Sequence, residues 1–340
     1  MPRIVILSQQ AKNPVRDPSA RCYSPQDDKY IITKQAMENT EIKNNGNNEI
    51  KEVKKAVLPI AGLGSRFYPI SKAVGKELLP LVDRPMISWA VEEAKQAGIE
   101  EIILVAKENN KNVLDYFKSD AKLEQFLEER GAKEPLENLQ KAYRGLEQIN
   151  FSLVVQPSPK GDGDAVLRAE KKVGKEPFAV AFFDDIFVSK TPALTQLINV
   201  FQTSRKIVVG LKKAPPEKLP FYGVVKAEKI ANNLYKIKDI VEKPAMGQAP
   251  SDLALSSRYI LTDEIFSYLK KISANAKGEI ILADAFKAML ADGKIIYGYE
   301  IEGDWLECGN MADWLKSNLT LCLKHPKYGP ALREWIKKIK

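Results

Sequence analysis

The sequence of 340 residues is 44% hydrophobic and 28% charged, long and apolar enough for one large core or two smaller ones. Its formal net charge of +8 is spread along the chain without basic tracts, so an anionic small molecule explains the excess as well as a nucleic acid would. A single histidine, His325, and three cysteines without metal-ligand spacing, Cys22, Cys308 and Cys322, exclude a histidine general base and a His/Cys metal cluster, leaving carboxylates, cations and backbone amides for any chemistry.

Residues 1–52 are dominated by Asn, Lys, Glu, Asp and Gln, with Asn44-Asn45-Gly46-Asn47-Asn48 as a breaker. Too little apolar surface is present there to offset chain entropy, so a mostly disordered extension is expected. The run Ile4 to Leu7 is too short for a secretory signal, and no later run is long enough to span a bilayer, which predicts a cytoplasmic chain with free thiols.

Ala56 to Ala61 reads as a buried strand that empties into Gly62-Leu63-Gly64-Ser65-Arg66. The glycines permit positive φ and close approach of the backbone to a ligand, and such a loop can turn N–H groups toward phosphate. Arg66 adds a forked cation and Lys76 a compact one, a pairing suited to a triphosphate. A strand-to-helix turn with solvated basic residues carries the same Gly-x-Gly. It is neither a Walker loop, since no Gly-Lys-Ser/Thr follows, nor a dinucleotide fingerprint, since Phe67 or Tyr68 stands where a third glycine belongs.

Met86 to Gly98 has helical spacing and ends on a capping glycine, and Ile102 to Ala106 is a second buried strand, implying a parallel sheet. Val113 to Arg144 reads as a solvated helical excursion interrupted near Gly131 and Pro135. The third strand, Phe151 to Val155, runs into Gln156 and a turn containing Gly161-Asp162-Gly163-Asp164. Its glycines again allow backbone approach at a strand end, where open α/β sheets bind ligands, although an ordinary Gly-Asp turn has the same composition.

Phe178 to Phe183 is the central apolar strand, with Asp184-Asp185 at its end. Packing explains a carboxylate pair there poorly, because an unpartnered buried charge costs several kcal/mol. A hard divalent cation supplies the partner, while Asp185 alone is accounted for by capping. Ile207 to Leu211, Tyr222 to Ala227 and Leu234 to Val241 are further strands, the last two paired across Asn232-Asn233. Asp263 to Leu269 is a helix, a second opens at Asp284-Ala285, and Tyr297 to Ile301 is expected at a sheet edge. Residues 321–340 form a basic helical tail, better explained by packing and a solvated face than by membrane or nucleic-acid binding.

The Gly62 to Arg66 loop followed by Lys76-Glu77-Leu78-Leu79-Pro80 resembles the signature of sugar nucleotidyltransferases, Gly-x-Gly-Thr-Arg and then Lys-Glu-x-Leu-Pro, with Ser65 for Thr. The likeness runs from about Lys54 to about Asn318 and is nearest to the uridylyltransferases of that family. Later motifs agree: Tyr222-Gly223, Val241-Glu242-Lys243-Pro244, Arg258-Tyr259 with Ser257 in place of Gly, and Gly278-Glu279-Ile280. The resemblance implies an α/β Rossmann-like, GT-A-like fold: a mixed, mostly parallel sheet flanked by helices, with a smaller sugar-binding β region near 207–260 inside a catalytic domain spanning 53–320.

It also implies roles. Ala61, Gly62, Leu63, Gly64, Ser65, Gly161 and Gly163 would bind nucleotide, with Gln156 reading the base; its amide can accept from N3–H and donate to O4 of uracil. Arg66 and the loop amides would hold the β and γ phosphates, and Lys76 the α-phosphate. Gly223 and Glu242 would meet the sugar, Lys243 and more weakly Lys277 its phosphate, and Asp184 with Glu307 would bind Mg²⁺. Asp162 and Asp164 replace the family's Leu and His, and Glu307 replaces Asp. The implied reaction makes UDP-glucose and pyrophosphate from UTP and glucose 1-phosphate, in a homo-oligomer (dimer or tetramer). A dTTP-dependent enzyme and a catalytically weak nucleotide-sugar-binding regulator are the alternatives.

Overall fold

Runs that are apolar at every position need cover on both faces, and the inner strands built from them find it. In the computed structural model, which describes residues 51–108 and 110–339, β1 (Lys55–Pro59), β2 (Glu101–Ala106), β3 (Asn150–Val155) and β4 (Phe178–Ala181) are parallel, paired as β3-β2-β1-β4. Ala56, Leu58, Ile102 and Leu104 face one core, while Val57, Ile103, Val105 and Val180 face the other. The N-terminal extension expected over 1–52 lies, apart from residues 51 and 52, outside the described residues.

Besides a two-residue pairing of Pro80–Leu81 with Arg84–Pro85, the remaining strands are β5 (Asp185–Val188), β6 (Ile207–Lys213), β7 (Gly223–Ala231), β8 (Leu234–Glu242), β9 (Leu253–Leu261), β10 (Ile296–Glu300) and β11 (Asp304–Glu307). One nine-stranded sheet results, in the order β3-β2-β1-β4-β9-β6-β10-β8-β7, while β5 and β11 form a separate antiparallel ribbon. Antiparallel β9 joins the parallel half to the rest by pairing with both β4 and β6. Residues 207–260 therefore extend the main sheet and form no sheet of their own.

One strand sits elsewhere than expected. Tyr297 to Ile301 was to be an edge, yet β10 lies between β6, parallel, and β8, antiparallel. Its centre is suited to that position: Tyr297 is buried, and Gly298 leaves room for Leu211, whose Cδ1 would lie 2.5 Å from an added Cβ.

The helices are α1 (Met86–Gln96), α2 (Lys111–Tyr116), α3 (Ala121–Glu129), α4 (Lys133–Gln140), α5 (Asp162–Arg168), α6 (Glu170–Val173), α7 (Ala193–Ser204), α8 (Glu264–Leu269), α9 (Leu282–Ala291), α10 (Met311–Lys324) and α11 (Gly329–Ile336). In α1, Met86, Ile87, Ala90, Val91 and Ala94 form the buried stripe. The excursion breaks at Gly131 (φ 64°) but not at Pro135, which sits in the first turn of α4, where a missing N–H leaves no intrahelical bond unmade. No helix among the described residues is long and apolar enough to cross a membrane. Cys308 is a free thiol that burial pushes up to about 12, and Cys322 is also free.

Candidate active site

Because β1, β3 and β4 are parallel, the loops that follow them leave the sheet on one side, bringing together segments from 60–76, 156–164 and 182–185. Gly64 adopts a left-handed conformation (φ 64°) packed against Lys76 and Ser71, both of which an added Cβ would approach at 3.2 Å. Ser71 Oγ donates to the Gly64 carbonyl at 2.7 Å. Ala61 is buried, whereas Gly62, Leu63 and Ser65 are exposed, and a Cβ on Gly62 would meet nothing within 4 Å. Buried Phe67 anchors the short 3-10 turn that carries Arg66, whose Nη1 would lie 3.8 Å from a Cβ on Gly309.

Lys76 reaches the same place from the other side. Its Nζ is 2.6 Å from Asp184 Oδ2 and 3.4 Å from the Gly309 carbonyl, above the rings of Phe67 and Phe183 at 5.1 and 5.7 Å. With its side chain only 10% exposed, Lys76 has little water to balance its charge, so the carboxylate does so. Burial acts to raise the Asp184 carboxyl, and the Lys76 ammonium outweighs it, holding the group below the usual carboxylate range. Asp185 is pushed the other way, by burial and then by the charge of Asp184; its Oδ1 accepts from Trp305 Nε1 at 2.9 Å.

Glu307 and Asp184, expected on one metal, have different partners here. The register of β5 and β11 sets Glu307 opposite Asp185, and its carboxylate accepts from the Tyr222 hydroxyl and the Lys218 ammonium. Lys218 also lies 3.5 Å from Asp313. Hydrogen-bonded to Glu307, the Tyr222 hydroxyl is pushed up, first by burial and then by that bond. Among the described residues no group of three or more His, Cys, Asp or Glu side chains is placed to hold a metal ion by itself. Sequence reasoning passed over Lys218, which has no motif to mark it.

The turn after β3 is held by its own residues. Gln156 is buried, and its Nε2 donates to the Gly161 carbonyl at 3.1 Å and to Asp164 Oδ2 at 2.8 Å. Asp164 Oδ2 also accepts from Arg168 Nε at 2.9 Å. Asp162 Oδ1 accepts from the backbone N–H groups of Gly163 and Leu282, and burial pushes its carboxyl up to about 6. Gly161 (φ 95°) and Gly163 make room for Ile280, whose carbonyl oxygen would lie 2.3 and 2.9 Å from added Cβ atoms. Those two glycines thus serve protein packing, and the expected donation from Gln156 to a base would compete with bonds already made.

On the sugar side, Gly223 and Glu242 are paired across β7 and β8, and a Cβ on Gly223 would lie 2.9 Å from Glu242 Oε2. Glu242 Oε1 is 3.0 Å from Lys243 Nζ, and Lys243 is bent out of the strand at φ 47° with its N–H on the Tyr222 carbonyl. Lys277 is exposed on the 275–279 loop, where its backbone N–H donates to Asn275, and no contact draws it to Lys243.

A further residue holds the Asp184 turn from beneath. Arg258, fully buried, donates from Nη1 to the Phe182 carbonyl and from Nη2 to the Asp185 carbonyl, each at 2.7 Å. Its charge is met by Glu93 of α1, at 2.9 Å from Nη2 and 3.1 Å from Nε. The irregularity in β9 between Leu255 and Tyr259, with Ser257 at φ 57°, lies beside this arginine.

The profile of the family described as Nucleotidyl transferase matches residues 55–323. The UTP–glucose-1-phosphate uridylyltransferase of Staphylococcus haemolyticus is 40% identical over 290 residues, covering 85% of this chain and 99% of that enzyme. Among solved structures, a UTP-bound UGPase from Acinetobacter baumannii is similar with a TM-score of 0.77 at 35% identity, covering 85% of this chain and all of that one. A UDP-glucose pyrophosphorylase complexed with UDP-glucose gives a TM-score of 0.73 at 34% identity, over 80% of this chain and all of that one.

Proposed function

We propose, because the chain belongs to the nucleotidyl transferase family, that it joins UTP and α-D-glucose 1-phosphate to give UDP-glucose and pyrophosphate. The observation that carries this is the Lys76–Asp184 pair at 2.6 Å, which ties the first loop to the end of the central strand beside Arg66. A phosphate oxygen of the sugar phosphate attacks the α-phosphorus of UTP, the bond from that phosphorus to the β-phosphate oxygen breaks, and pyrophosphate leaves with the electron pair. The nucleophile is already an anion, so no general base is required, and catalysis rests on positioning and charge.

In this reading Arg66 and the amides of 62–66 hold the β and γ phosphates, with Ala61 closing the loop against the core. Lys76 moves its charge from Asp184 to the α-phosphate. Gln156 meets the uracil, Glu242 and Gly223 meet the sugar, and Lys243, with Lys277 from its exposed loop, meets the sugar phosphate. The family generally uses a divalent metal; the oxygen-only donor set of Asp184 and Glu307 suits Mg²⁺, which takes one or two carboxylates together with phosphate oxygens. Bound there, the ion would neutralise phosphate charge. Lys76 and Lys218 balance these carboxylates. Free thiols at Cys308 and Cys322 support a cytoplasmic setting, and exposed Leu315, Leu319 and Trp335 support a dimer or tetramer, which light scattering would read directly.

The test is pyrophosphate release with Mg²⁺, crossing UTP, dTTP, CTP, ATP and GTP with glucose, galactose and mannose 1-phosphates. Preference for UTP with glucose 1-phosphate is expected, falling by about 10²-fold or more in Asp184→Asn. A dTTP preference would change the substrate while keeping the mechanism. Tight UDP-glucose binding without turnover would make the chain a regulator.

A further inference from the structure

Gln156 has one amide with two possible orientations, and its surroundings permit one. Both neighbours of its Nε2, the Gly161 carbonyl and the Asp164 carboxylate, can only accept hydrogen bonds. Rotating the amide would set its oxygen against both of them, in a place where Gln156 is 4% exposed and water cannot repair the loss. Asp164 cannot swing away easily, since Arg168, one helical turn along α5, holds the same Oδ2 at 2.9 Å. The turn itself is pinned, because Gly161 and Gly163 pack onto Ile280 and the Gly163 N–H donates to the Ile280 carbonyl at 2.9 Å.

We propose that Asp164 is a positioning residue for base selection: it commits both N–H groups of Gln156 to the protein, so that only the Gln156 carbonyl oxygen is left to meet the base. An acceptor at that point suits a pyrimidine with an N3–H donor, as in uracil and thymine. Cytosine presents a lone pair at N3 and is repelled. The lock thus separates UTP from CTP and is indifferent to the 5-methyl group that separates dTTP from UTP. It rests on the reading of Gln156 as the residue that meets the base.

Initial rates of pyrophosphate release with UTP, CTP and dTTP, at saturating glucose 1-phosphate and Mg²⁺, test it in the full chain and in Asp164→Leu, Arg168→Met and Gln156→Ala. A leucine at 164 carries no acceptor, so only the Gly161 carbonyl is left to hold the orientation of Gln156. The kcat/KM ratio of CTP to UTP should then rise about tenfold or more, chiefly through KM for UTP, while the dTTP to UTP ratio stays within about twofold. Arg168→Met, which alters only the brace behind Asp164, should move the CTP ratio in the same direction by less. A merely structural role for Asp164 would lower all three nucleotides together, and that outcome overturns the proposal. So would unchanged CTP ratios in both folded variants when Gln156→Ala alone loses discrimination. If Gln156→Ala leaves the ratios untouched, or the unmodified chain turns over no nucleotide, the underlying reading of the site fails and the lock with it.

Discussion

Asp162 and Asp164 stand two residues apart where a triphosphate-binding enzyme would be expected to avoid negative charge, and each is satisfied differently. Asp164 has a guanidinium, while Asp162 has only the N–H groups of Gly163 and Leu282. Burial therefore dominates for Asp162 and lifts its pKa from 3.8 to about 6, with Glu242 adding to the rise. Because the folded group holds its proton more tightly than the unfolded one, folding takes up a proton between these two values. Stability from this residue is fullest near pH 4, declines as pH rises through about 6, and is level above that. Asp162→Asn keeps an oxygen for both N–H donors and removes the charge. Its melting temperature should exceed that of the parent at pH 7.5, and the gap should close as pH is lowered toward 4. A gap that stays constant across that range would show that Asp162 titrates normally in the folded chain.

At the scale of elements, the Asp184 turn is a joint between β4 and β5 whose carbonyls are collected by Arg258. The strand run 178–183 and the acidic pair after it were legible in the sequence because both are local patterns. The family motif marked Arg258, but its role beneath the turn was not legible, since its partner Glu93 lies 165 positions away, on the inward side of α1 with its side chain 11% exposed. Lys218 was hidden for the same reason: Glu307, its partner, is 89 positions on. Removing one member of a buried ion pair leaves an uncompensated charge, so Arg258→Leu should lower the free energy of unfolding by about 3–5 kcal/mol in urea titrations. It should also depress pyrophosphate release at temperatures where the variant remains folded, because the carbonyls of Phe182 and Asp185 lose their donors. Loss of stability with full activity would mean that the turn holds Asp184 without this arginine.

For the whole molecule, the sequence showed which runs become strands far better than it showed their order. Alternation and branching reside in each run, but the insertion of β9 between β4 and β6, and of β10 between β6 and β8, depends on pairings between distant segments. That is why Tyr297 to Ile301 read as an edge, and why the place of residues 207–260 within the main sheet was not legible. Interleaving has a thermodynamic consequence. The last long strand, β10, is hydrogen-bonded on both sides to strands of the 207–260 region, and β9 carries that region's contact with the parallel half. Neither part can open without stripping the other of ladder bonds, so unfolding should be one cooperative event. Trp89 lies on α1 over the parallel half and caps Arg84 at 4.0 Å, while Trp305 stacks on Phe187 and tilts against Tyr222 beside β7. Variants retaining only Trp89 or only Trp305 of the four tryptophans should give the same urea midpoint by fluorescence, coincident with the loss of far-UV circular dichroism. Separate midpoints, with Trp305 released first, would mean that the sheet continues across the 207–260 region in geometry but divides there in stability.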